Sequence, residues 1–279
     1  MAWVLPMPAD TSFRSRYGPC ALVAGAAVGL GAEYARQIAA RGLDLVLLDR
    51  DGEALGATAA EIRSHCGVGV RPVTVDLGRP DLVEAIGTAV ADREIGLLVY
   101  NAALGTVAPF LELAPAHVEA MLDVNCRAPL RLARAVVPAM VGRRRGGLVL
   151  MSSLSGNVGS AQLAVYAATK AFTLVLADAL WAELRPHGVD VLAVQPGSTR
   201  TPGWLSSQPV GSDAPPMPAM EPADVVHEAL ASLGVEPSVI PGELNRQGAE
   251  ALARLPRRQA IEIMSEITGK LVRNDGRIS

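Results

Sequence analysis

Short runs of consecutive apolar residues alternate with longer amphipathic stretches along most of the chain. The apolar runs cover residues 21–24, 43–48, 70–75, 96–100, 148–151, 189–194 and 238–240, and they predict seven β-strands. The stretches between them, at 29–41, 52–65, 80–93, 115–141, 162–186 and 222–234, have the longer period that predicts helices. Because the strands are apolar at consecutive positions rather than alternate ones, we expect both faces of each strand to be buried.

Alternation of strands and helices predicts right-handed crossovers and a parallel sheet covered on both sides. The expected fold class is therefore α/β, a doubly wound parallel sheet of about seven strands in a single domain. We expect this domain to cover residues 18–242, after an N-terminal extension over 1–17 and before a helical tail over 243–279. Residues 198–221 are rich in Pro, Gly and Ser, and such a long loop in a compact domain is usually either a functional lid or disordered. We expect it to be a substrate loop.

Composition narrows the classes of function. Half of the residues are apolar, which suits a large core, and a net charge of −3 gives no basic footprint for nucleic acid. Three widely spaced cysteines, Cys20, Cys66 and Cys126, indicate a reducing compartment without a disulfide framework. The four histidines are scattered, so we expect no metal site. The first 17 residues lack the basic start of a signal peptide, and no run approaches the ~20 apolar residues of a membrane span, so we expect a cytoplasmic protein.

The tail has the apolar spacing of an amphipathic helix. It is placed to close over an active site, to cover a subunit interface or to lie on a membrane surface. Its modest number of basic residues makes the membrane interpretation the least favoured of the three.

A glycine-rich turn follows the first predicted strand and opens the first long helix. Gly25, Gly29 and Gly31 are spaced Gly-x3-Gly-x-Gly, which differs from the commoner Gly-x-Gly-x-x-Gly of dinucleotide-binding proteins. Glycine permits a tight reversal and a close approach of a pyrophosphate to the backbone, and the N-terminus of the helix attracts that anion. The strand before the turn and the helix after it favour a phosphate site over an ordinary glycine-rich turn.

Polar residues end the next strands on the same edge of the predicted sheet. A carboxylate at Asp49 is placed to accept hydrogen bonds from both ribose hydroxyls of an adenosine and to repel a 2′-phosphate, which favours NAD. Arg50 follows it and is able to pair with such a phosphate, so NADP stays an alternative. Asp76 follows the third strand and Asn101 the fourth. Since the carboxyl ends of parallel strands meet at one edge, we expect these residues to line one cleft.

Ser153 closes the fifth predicted strand, and Tyr166 and Lys170 follow in a predicted helix. At positions i and i+4, the tyrosine and the lysine share one helix face. An ammonium close to a phenol lowers its pKa from about 10, typically by ~1–3 units, so that the tyrosine can exchange a proton near neutral pH. Ser153 lacks the His/Asp pattern of a covalent nucleophile, so we assign it a hydrogen bond to the substrate oxygen.

Two further polar positions lie near this set. Asn125 falls inside the predicted helix 115–141, where asparagine is a weak helix former. From the residues alone it is either a satisfied buried amide or part of a proton path. The sixth strand ends in Pro196 and Gly197, which turn the chain at the ligand edge, and Thr201 follows.

Taken in order, these residues resemble the short-chain dehydrogenase/reductase family. The resemblance covers about residues 18–242 and rests on Gly25-x3-Gly29-x-Gly31, Asn101-Ala102-Ala103, Asn125, Ser153, Tyr166-x-x-x-Lys170 and Pro196-Gly197 with Thr201. The chain departs from the family pattern at Ala24, where the family usually has Thr, and at Ala103, where it usually has Gly. Neither change removes a catalytic group.

The resemblance implies a Rossmann-type fold, a nicotinamide cofactor and a role for each matching residue. Tyr166 would be the acid–base, Ser153 the anchor of the substrate oxygen, and Lys170 the group that sets the tyrosine pKa and binds the nicotinamide ribose. Asn125 would hold a water that links Lys170 to solvent, and Thr201 would contact the nicotinamide carboxamide. The other cofactor-binding residues would be Gly25, Gly29, Leu30, Gly31, Asp49, Arg50, Asp76, Leu77, Asn101, Pro196 and Gly197.

The predicted function is that of an NAD(P)-dependent oxidoreductase, with NAD favoured, that interconverts a secondary alcohol and a ketone or aldehyde by hydride transfer. Leu104, Val158, Trp204 and the methionine-bearing loop predict an apolar, steroid-, lipid- or polyketide-like substrate. Alternatives are a non-catalytic dinucleotide-binding sensor or scaffold, and a dehydratase or epimerase on the same scaffold. By analogy with the family, a homodimer or homotetramer would form through the helices near 115–141 and 162–186.

Overall fold

The computed structural model describes residues 11–206 and 219–269, in which seven strands form one parallel sheet. The strands are β1 (Cys20–Ala24), β2 (Asp44–Asp49), β3 (Val70–Thr74), β4 (Ile95–Tyr100), β5 (Gly146–Met151), β6 (Val189–Val194) and β7 (Ser238–Val239). Their order across the sheet is β3-β2-β1-β4-β5-β6-β7, and each neighbouring pair is parallel. The predicted strands all form, and the doubly wound fold class is confirmed.

Helices form between the strands at all the predicted places, and two more form in addition, Thr11–Tyr17 in the N-terminal extension and Pro202–Ser206 in the predicted loop. They are α1 (Thr11–Tyr17), α2 (Gly29–Ala40), α3 (Gly52–His65), α4 (Leu82–Val90), α5 (Pro115–Leu122), α6 (Ala128–Arg143), α7 (Ala164–Leu184), α8 (Pro202–Ser206), α9 (Pro222–Ser232), α10 (Glu243–Ala253) and α11 (Arg257–Gly269). The predicted single helix over 115–141 is in fact α5 and α6 joined by a π-helical turn, Asp123–Arg127.

Each face of the sheet is covered by its own hydrophobic core. On one face, Tyr34 and Ile38 of α2, with buried residues of α3 and α9, pack against alternate residues of the strands. On the other face, residues of α4, α6 and α7, such as Ala177, pack against the remaining residues of the same strands. Burial of both faces explains why the strand sequences are continuously apolar.

Local sequence explains where several helices begin and end. The Asp51 carboxylate accepts a hydrogen bond from the Ala54 N–H at 3.0 Å, and this side-chain cap starts α3. Pro115 occupies the first turn of α5, where a missing N–H costs nothing. Pro256 lies between α10 and α11, so the predicted tail helix is two helices rather than one.

The N-terminal extension is helical from Thr11 onward. Phe13 and Tyr17 of α1 are buried in the first core, and the Tyr17 hydroxyl donates to the Asp190 carboxylate at 2.7 Å. Of the predicted substrate loop, residues 207–218 lie outside the described residues, and so does Met217.

Helix α7 with the turn after it, Ala164–His187, is the one stretch of the described chain that is long and apolar enough to cross a bilayer. One face of this helix packs against β5 and β6 and holds the buried Thr169, Lys170 and Thr173. The opposite face leaves Phe172 and Val175 exposed. The apolar residues of α7 therefore pack against the sheet on one side and form an uncovered apolar surface on the other.

Candidate active site

The predicted site residues converge on the carboxyl edge of the sheet beside β1 and β4. The strand order reverses at this point, because β2 and β3 lie on one side of β1 while β4 to β7 lie on the other. Crossover helices leave opposite faces there, and the crevice that results is the usual ligand site of doubly wound sheets. The turns after β1, β4, β5 and β6 all open onto this crevice.

The glycine turn between β1 and α2 has a conformation that requires glycine. Gly25 and Gly29 have φ angles of +78° and +59°, in the left-handed region that side chains disfavour. A side chain on Gly31 would overlap the Gly25 carbonyl oxygen, which brings the start of α2 directly over the turn. The turn is thus a backbone cradle at a helix N-terminus, and its shape suits a pyrophosphate.

The end of β2 supplies a carboxylate that is fixed by backbone hydrogen bonds. Asp49 Oδ2 accepts from the Ala27 N–H at 3.0 Å, and Oδ1 accepts from the Asp51 N–H at 3.1 Å. Arg50 is exposed and, within the described residues, forms no ion pair. The carboxylate therefore lies beside the glycine turn, where an adenosine ribose would bind.

The third strand ends on the same edge. Asp76 is exposed and accepts a hydrogen bond from the Gly78 N–H at 2.9 Å, while Leu77 is buried in the second core. Leu30, at the start of α2, is partly buried against the first core. Leu30 and Leu77 therefore pack against the cores on opposite faces of the sheet.

The fourth strand is tied to the glycine turn by side-chain and backbone hydrogen bonds. The Asn101 amide donates to the Gly25 carbonyl at 2.9 Å, and the N–H groups of Asn101 and Ala102 both reach the Ala24 carbonyl at 3.0 Å. Backbone contacts therefore hold this turn, although Ala24 lacks the threonine hydroxyl that is usual in the family. Ala103 is exposed, so its added methyl group is not buried inside the turn.

Ser153 lies close enough to Tyr166 for a side-chain hydrogen bond between them to affect the pKa of the tyrosine. Burial raises the pKa of Tyr166, and the hydrogen bond with Ser153 opposes that rise only in part. The sequence predicted a lowered pKa because of Lys170, so the sign is opposite in this structure. The physical reason is that desolvation disfavours the phenolate more than its partners stabilise it.

Lys170 lies one helical turn beyond Tyr166 and is buried, with 4% of its surface exposed. Its ammonium is 5.6 Å from the centre of the Tyr166 ring and donates to the Met151 carbonyl at 2.8 Å. Desolvation lowers the pKa of Lys170 to about 8, and the nearby Cys126 opposes this change. The Lys170 amine is therefore a buried base that gains or loses its proton close to pH 8.

Asn125 lies in the π-helical turn and holds the loop after β4. Its Oδ1 accepts from the Leu104 N–H at 2.8 Å, and its Nδ2 donates to the Leu104 carbonyl at 2.8 Å and to the Thr169 hydroxyl at 3.0 Å. A π-helical turn in an α-helix is often found at functional sites. The amide is satisfied by these partners and lies next to the α7 turn that carries Lys170.

The turn after β6 closes the crevice. The Pro196 carbonyl accepts from the Leu154 N–H at 3.2 Å, which ties this turn to the segment after Ser153. A Cβ on Gly29 would come within 3.1 Å of the Thr201 side chain, so the glycine turn and Thr201 face each other. Trp204, in α8, is half-buried beyond Thr201.

Some contacts of the site were not predicted from the sequence. The Ser155 hydroxyl donates to Ser153 Oγ at 2.9 Å, and the Ser152 hydroxyl donates to the Lys170 carbonyl at 2.7 Å. Their only signal in the sequence was that they flank Ser153. A Cβ on Gly105 would meet the Tyr166 ring and a Cβ on Gly197 would meet Asn245 of α10, but neither Gly105 nor Asn245 carried any pattern that pointed to the site.

The residues present suit a nicotinamide dinucleotide. The cradle at Gly25 and Gly31 leaves no room for side chains, the Asp49 carboxylate is held beside it by the Ala27 N–H, and Thr201 faces Gly29 of the same turn. In the described ranges 11–206 and 219–269, no group of three or more His, Cys, Asp or Glu side chains is placed to hold a metal ion.

Known proteins with similar sequences have the same organisation. The sequence model of the short chain dehydrogenase family matches residues 19–209. A 7beta-hydroxysteroid dehydrogenase of Clostridium sardiniense is 33% identical over 236 residues, which cover 85% of this chain and 90% of that protein.

Solved structures agree with this assignment of the fold. A 7beta-hydroxysteroid dehydrogenase structure, studied for its stereoselectivity, superimposes with a TM-score of 0.84 at 30% identity and covers 90% of this chain and 98% of its own. A short-chain dehydrogenase from Sphingobium yanoikuyae, in complex with NADPH, gives a TM-score of 0.73 at 34% identity, with coverage of 85% and 94%. The similarity therefore extends over the whole sheet and the turns that form the crevice.

Proposed function

This chain belongs to the short-chain dehydrogenase family and is an NAD(P)-dependent oxidoreductase that interconverts a secondary alcohol and a carbonyl compound, and we propose a bulky, steroid-like alcohol or ketone as its substrate. The observation that carries the reaction is that Tyr166, Lys170 and Ser153 lie together at the carboxyl edge of the sheet, with the Lys170 ammonium 5.6 Å from the centre of the Tyr166 ring. The 7beta-hydroxysteroid dehydrogenase relatives and the apolar Leu104 and Val158 near the site support the substrate class.

We propose that Tyr166 transfers the proton in both directions. In alcohol oxidation its phenolate oxygen takes the hydroxyl proton, and in ketone reduction its hydroxyl returns a proton to the same oxygen. When bound, the nicotinamide supplies or accepts the hydride. The Ser153 hydroxyl donates a hydrogen bond to the reacting oxygen and stabilises its developing charge. Ser155, which donates to Ser153 Oγ at 2.9 Å, orients that serine.

We propose that Lys170 lowers the cost of forming the Tyr166 phenolate once the crevice is occupied. Its ammonium already lies 5.6 Å from the phenol ring, and its pKa of about 8 lets it change charge close to the working pH. Asn125 keeps the Leu104 loop and Thr169 in place on the outer side of this pair. The residues at the glycine turn, with Pro196, Gly197 and Thr201, would hold the dinucleotide.

For the cofactor we propose a preference for NAD over NADP. The Asp49 carboxylate, fixed by the Ala27 and Asp51 N–H groups, places a negative charge where a 2′-phosphate would lie. The structure from Sphingobium yanoikuyae holds NADPH, so a phosphorylated dinucleotide is the alternative for this chain. Calorimetric titration with NAD⁺ and NADP⁺ separates them, and tighter binding of NADP⁺ would overturn the preference.

A substrate panel tests the proposed class. The panel pairs 7-oxosteroids with small acyclic ketones, with nicotinamide absorbance at 340 nm as the readout. We expect kcat/KM for the steroids to exceed that for the small ketones by at least tenfold, because apolar burial contributes about 0.8 kcal/mol for each buried CH₂. Equal or lower values for the steroids would remove the steroid proposal and leave the oxidoreductase assignment in place.

We propose that the protein is a cytoplasmic homo-oligomer. Phe172 and Val175 are exposed on the outer face of α7, with 66% of Val175 accessible, and a partner subunit would cover them. Cys20, Cys66 and Cys126 are free thiols, which suits a reducing compartment.

A further inference from the structure

His117 is a half-buried histidine that the reaction described above does not use. It lies in the first turn of α5, where its backbone N–H donates to the Ala114 carbonyl at 2.9 Å. Its Nε2 atom is 2.6 Å from the Thr106 hydroxyl, and both side chains are partly buried. Because a threonine hydroxyl both donates and accepts, either tautomer of the imidazole keeps this hydrogen bond. His117 therefore ties α5 to the loop after β4.

Thr106 lies in the middle of that loop. At one end, Asn125 holds Leu104 by two hydrogen bonds of 2.8 Å. At the other end, the Ala108 N–H donates to the Gln162 carbonyl at 2.9 Å. The backbone between these two points is described and forms no helix, strand or turn. A tie at Thr106 therefore fixes the part of the loop that the two end contacts leave free.

Gly105, the neighbour of Thr106, lies against the proposed acid–base. A Cβ on Gly105 would be 2.9 Å from Cδ2 and 3.0 Å from Cε2 of the Tyr166 ring, so the loop backbone itself runs close to one edge of that ring. A tilt of the ring would move the hydroxyl at its far end relative to the substrate oxygen. Small misplacements of a reacting group are costly in rate.

Helix α5 gives this tie a fixed base. It packs against α7, the helix that carries Tyr166. The His117 side chain therefore holds the loop relative to the same pair of helices that holds the tyrosine. The loop, α5 and the Tyr166 ring form one frame, and the hydrogen bond between His117 and Thr106 closes it.

We propose that His117 is a positioning residue, which acts through the Thr106 hydroxyl on the loop beside Tyr166. In this role the imidazole exchanges no proton with the substrate. It keeps Gly105 against the ring edge and so keeps the phenol hydroxyl aimed at the reacting oxygen. The inference rests on the proposed function and adds to it a residue outside the dinucleotide-binding turns.

A double-mutant cycle tests whether His117 acts through Thr106. His117→Phe keeps a planar ring without nitrogen, Thr106→Val keeps the shape of the side chain without the hydroxyl, and a third variant combines the two. Because all three lose the same hydrogen bond, we expect each to lower kcat by a similar factor, roughly threefold to tenfold, with KM for the ketone and Kd for the dinucleotide within twofold. Losses that multiply in the double variant, or an unchanged kcat in either single variant, would overturn the inference.

Two further variants separate positioning from a general loss of stability. In His117→Gln the side-chain amide can take the place of Nε2, so kcat is expected to return to within twofold of the wild type. His65→Phe is the matched control, since His65 Nδ1 lies 2.8 Å from the Ser64 hydroxyl at the end of α3, and we expect it to leave kcat unchanged. A kcat in His117→Gln as low as in His117→Phe, or an equal loss in His65→Phe, would refute the positioning role.

Near-ultraviolet circular dichroism reports the surroundings of the Tyr166 ring without any substrate. The difference spectrum between a protein and its Tyr166→Phe counterpart isolates this ring among the four tyrosines of the chain. We expect the difference spectrum to change in the His117→Phe background and to stay the same in the His65→Phe background. Identical difference spectra in both backgrounds and in the wild type would also overturn the inference. A wild type that turns over no alcohol or ketone would remove the proposed function, while this comparison still decides whether His117 positions the ring.

Discussion

Lys170 carries the buried positive charge of the site. Its burial determines how much free energy this charge costs the folded protein. The chain has only two lysines, Lys170 and Lys270, so the titration of Lys170 is separable from that of other amines. Burial lowers its pKa to about 8 from the ordinary value of 10.5. Below pH 8 the folded protein must hold a charged ammonium away from water, which opposes folding.

This shift predicts a pH dependence of stability. Between pH 7 and 9 the unfolded chain keeps its lysine proton while the folded protein loses it, so the free energy of unfolding is expected to rise, by about 1 kcal/mol from Lys170 alone. Chemical denaturation of the wild type and of Lys170→Met at both pH values isolates this contribution. A wild-type-minus-variant difference that does not grow with pH would contradict the assigned pKa.

Asp49 is the residue that we expect to set the choice of cofactor. In Asp49→Ser the negative charge at the ribose is removed, so the ratio of Kd for NADP⁺ to Kd for NAD⁺ is expected to fall by tenfold or more, as for the removal of a like-charge contact. Asp51→Ser is the control, because Asp51 caps α3 through the Ala54 N–H and its side chain is not placed at the ribose. Calorimetry on both variants measures the ratio, and no change in Asp49→Ser would contradict this role.

Individual residues were predictable from the sequence to different degrees. Ser153, Tyr166 and Lys170 carry side chains whose chemistry is specific, and their spacing along one strand and one helix places them together. His117 and Gly105 were not predicted, because a side-chain bond to a loop and a close approach of backbone to a ring arise from tertiary packing and leave no periodic signal. The sign of the Tyr166 pKa shift was missed for a similar reason, since the extent of burial is a property of the folded chain.

At the scale of elements, the loop after β4 sets the position of the Tyr166 ring. A Cβ on Gly105 would lie 2.9 Å from the ring carbon Cδ2, closer than real side chains approach. The loop is held at Leu104 by two hydrogen bonds from Asn125 and at Ala108 by its bond to the Gln162 carbonyl. It has little freedom to move away from an added methyl group.

Gly105→Ala is therefore expected to displace the Tyr166 ring and to lower kcat by roughly tenfold to a hundredfold, since small misplacements of a reacting group are costly. Dinucleotide binding is expected to stay within twofold, because the glycine turn is untouched. Gly87→Ala in α4 is the control, as a Cβ there meets nothing within 4 Å. Steady-state kinetics with both variants test the expectation, and full activity in Gly105→Ala would refute it.

The strands and most helices were predictable because their period is local. The π-helical turn over Asp123–Arg127 and the break at Pro256 were missed, although a proline is a visible signal. A π-helical turn has no such signal in a single sequence, since it differs from an α-helix only in its hydrogen-bond register. The tail was predicted as amphipathic, but its docking onto residues 157–161 depends on three tertiary hydrogen bonds.

At the scale of the whole molecule, the order of the strands in the sheet determines which functional residues lie close together. Ser153, Asn101 and Gly25 lie far apart in sequence, and parallel pairing of β1, β4 and β5 brings the turns that carry them to one edge. The general rule for doubly wound sheets predicts this edge, and the structure agrees with it. A search for compact clusters in the sequence alone would not have joined these residues.

The exposed apolar face of α7 bears on assembly. We expect Val175→Glu to reduce the molar mass measured by size-exclusion chromatography with light scattering, because a buried charge without a partner destabilises an interface. Val235→Glu is the control, since Val235 is as exposed, at 69% against 66%. A wild-type monomer, or an unchanged mass in Val175→Glu, would contradict assembly through α7.

The central claim is that Tyr166 is the acid–base group of a nicotinamide-dependent oxidoreductase. Its most direct test measures turnover and dinucleotide binding on the same preparations of the wild type and of Tyr166→Phe, which removes only the hydroxyl. We expect kcat to fall by at least a hundredfold, in line with the loss of general acid–base catalysis, while the Kd for the preferred dinucleotide changes less than threefold. A Tyr166→Phe variant with near-normal kcat would contradict the assignment.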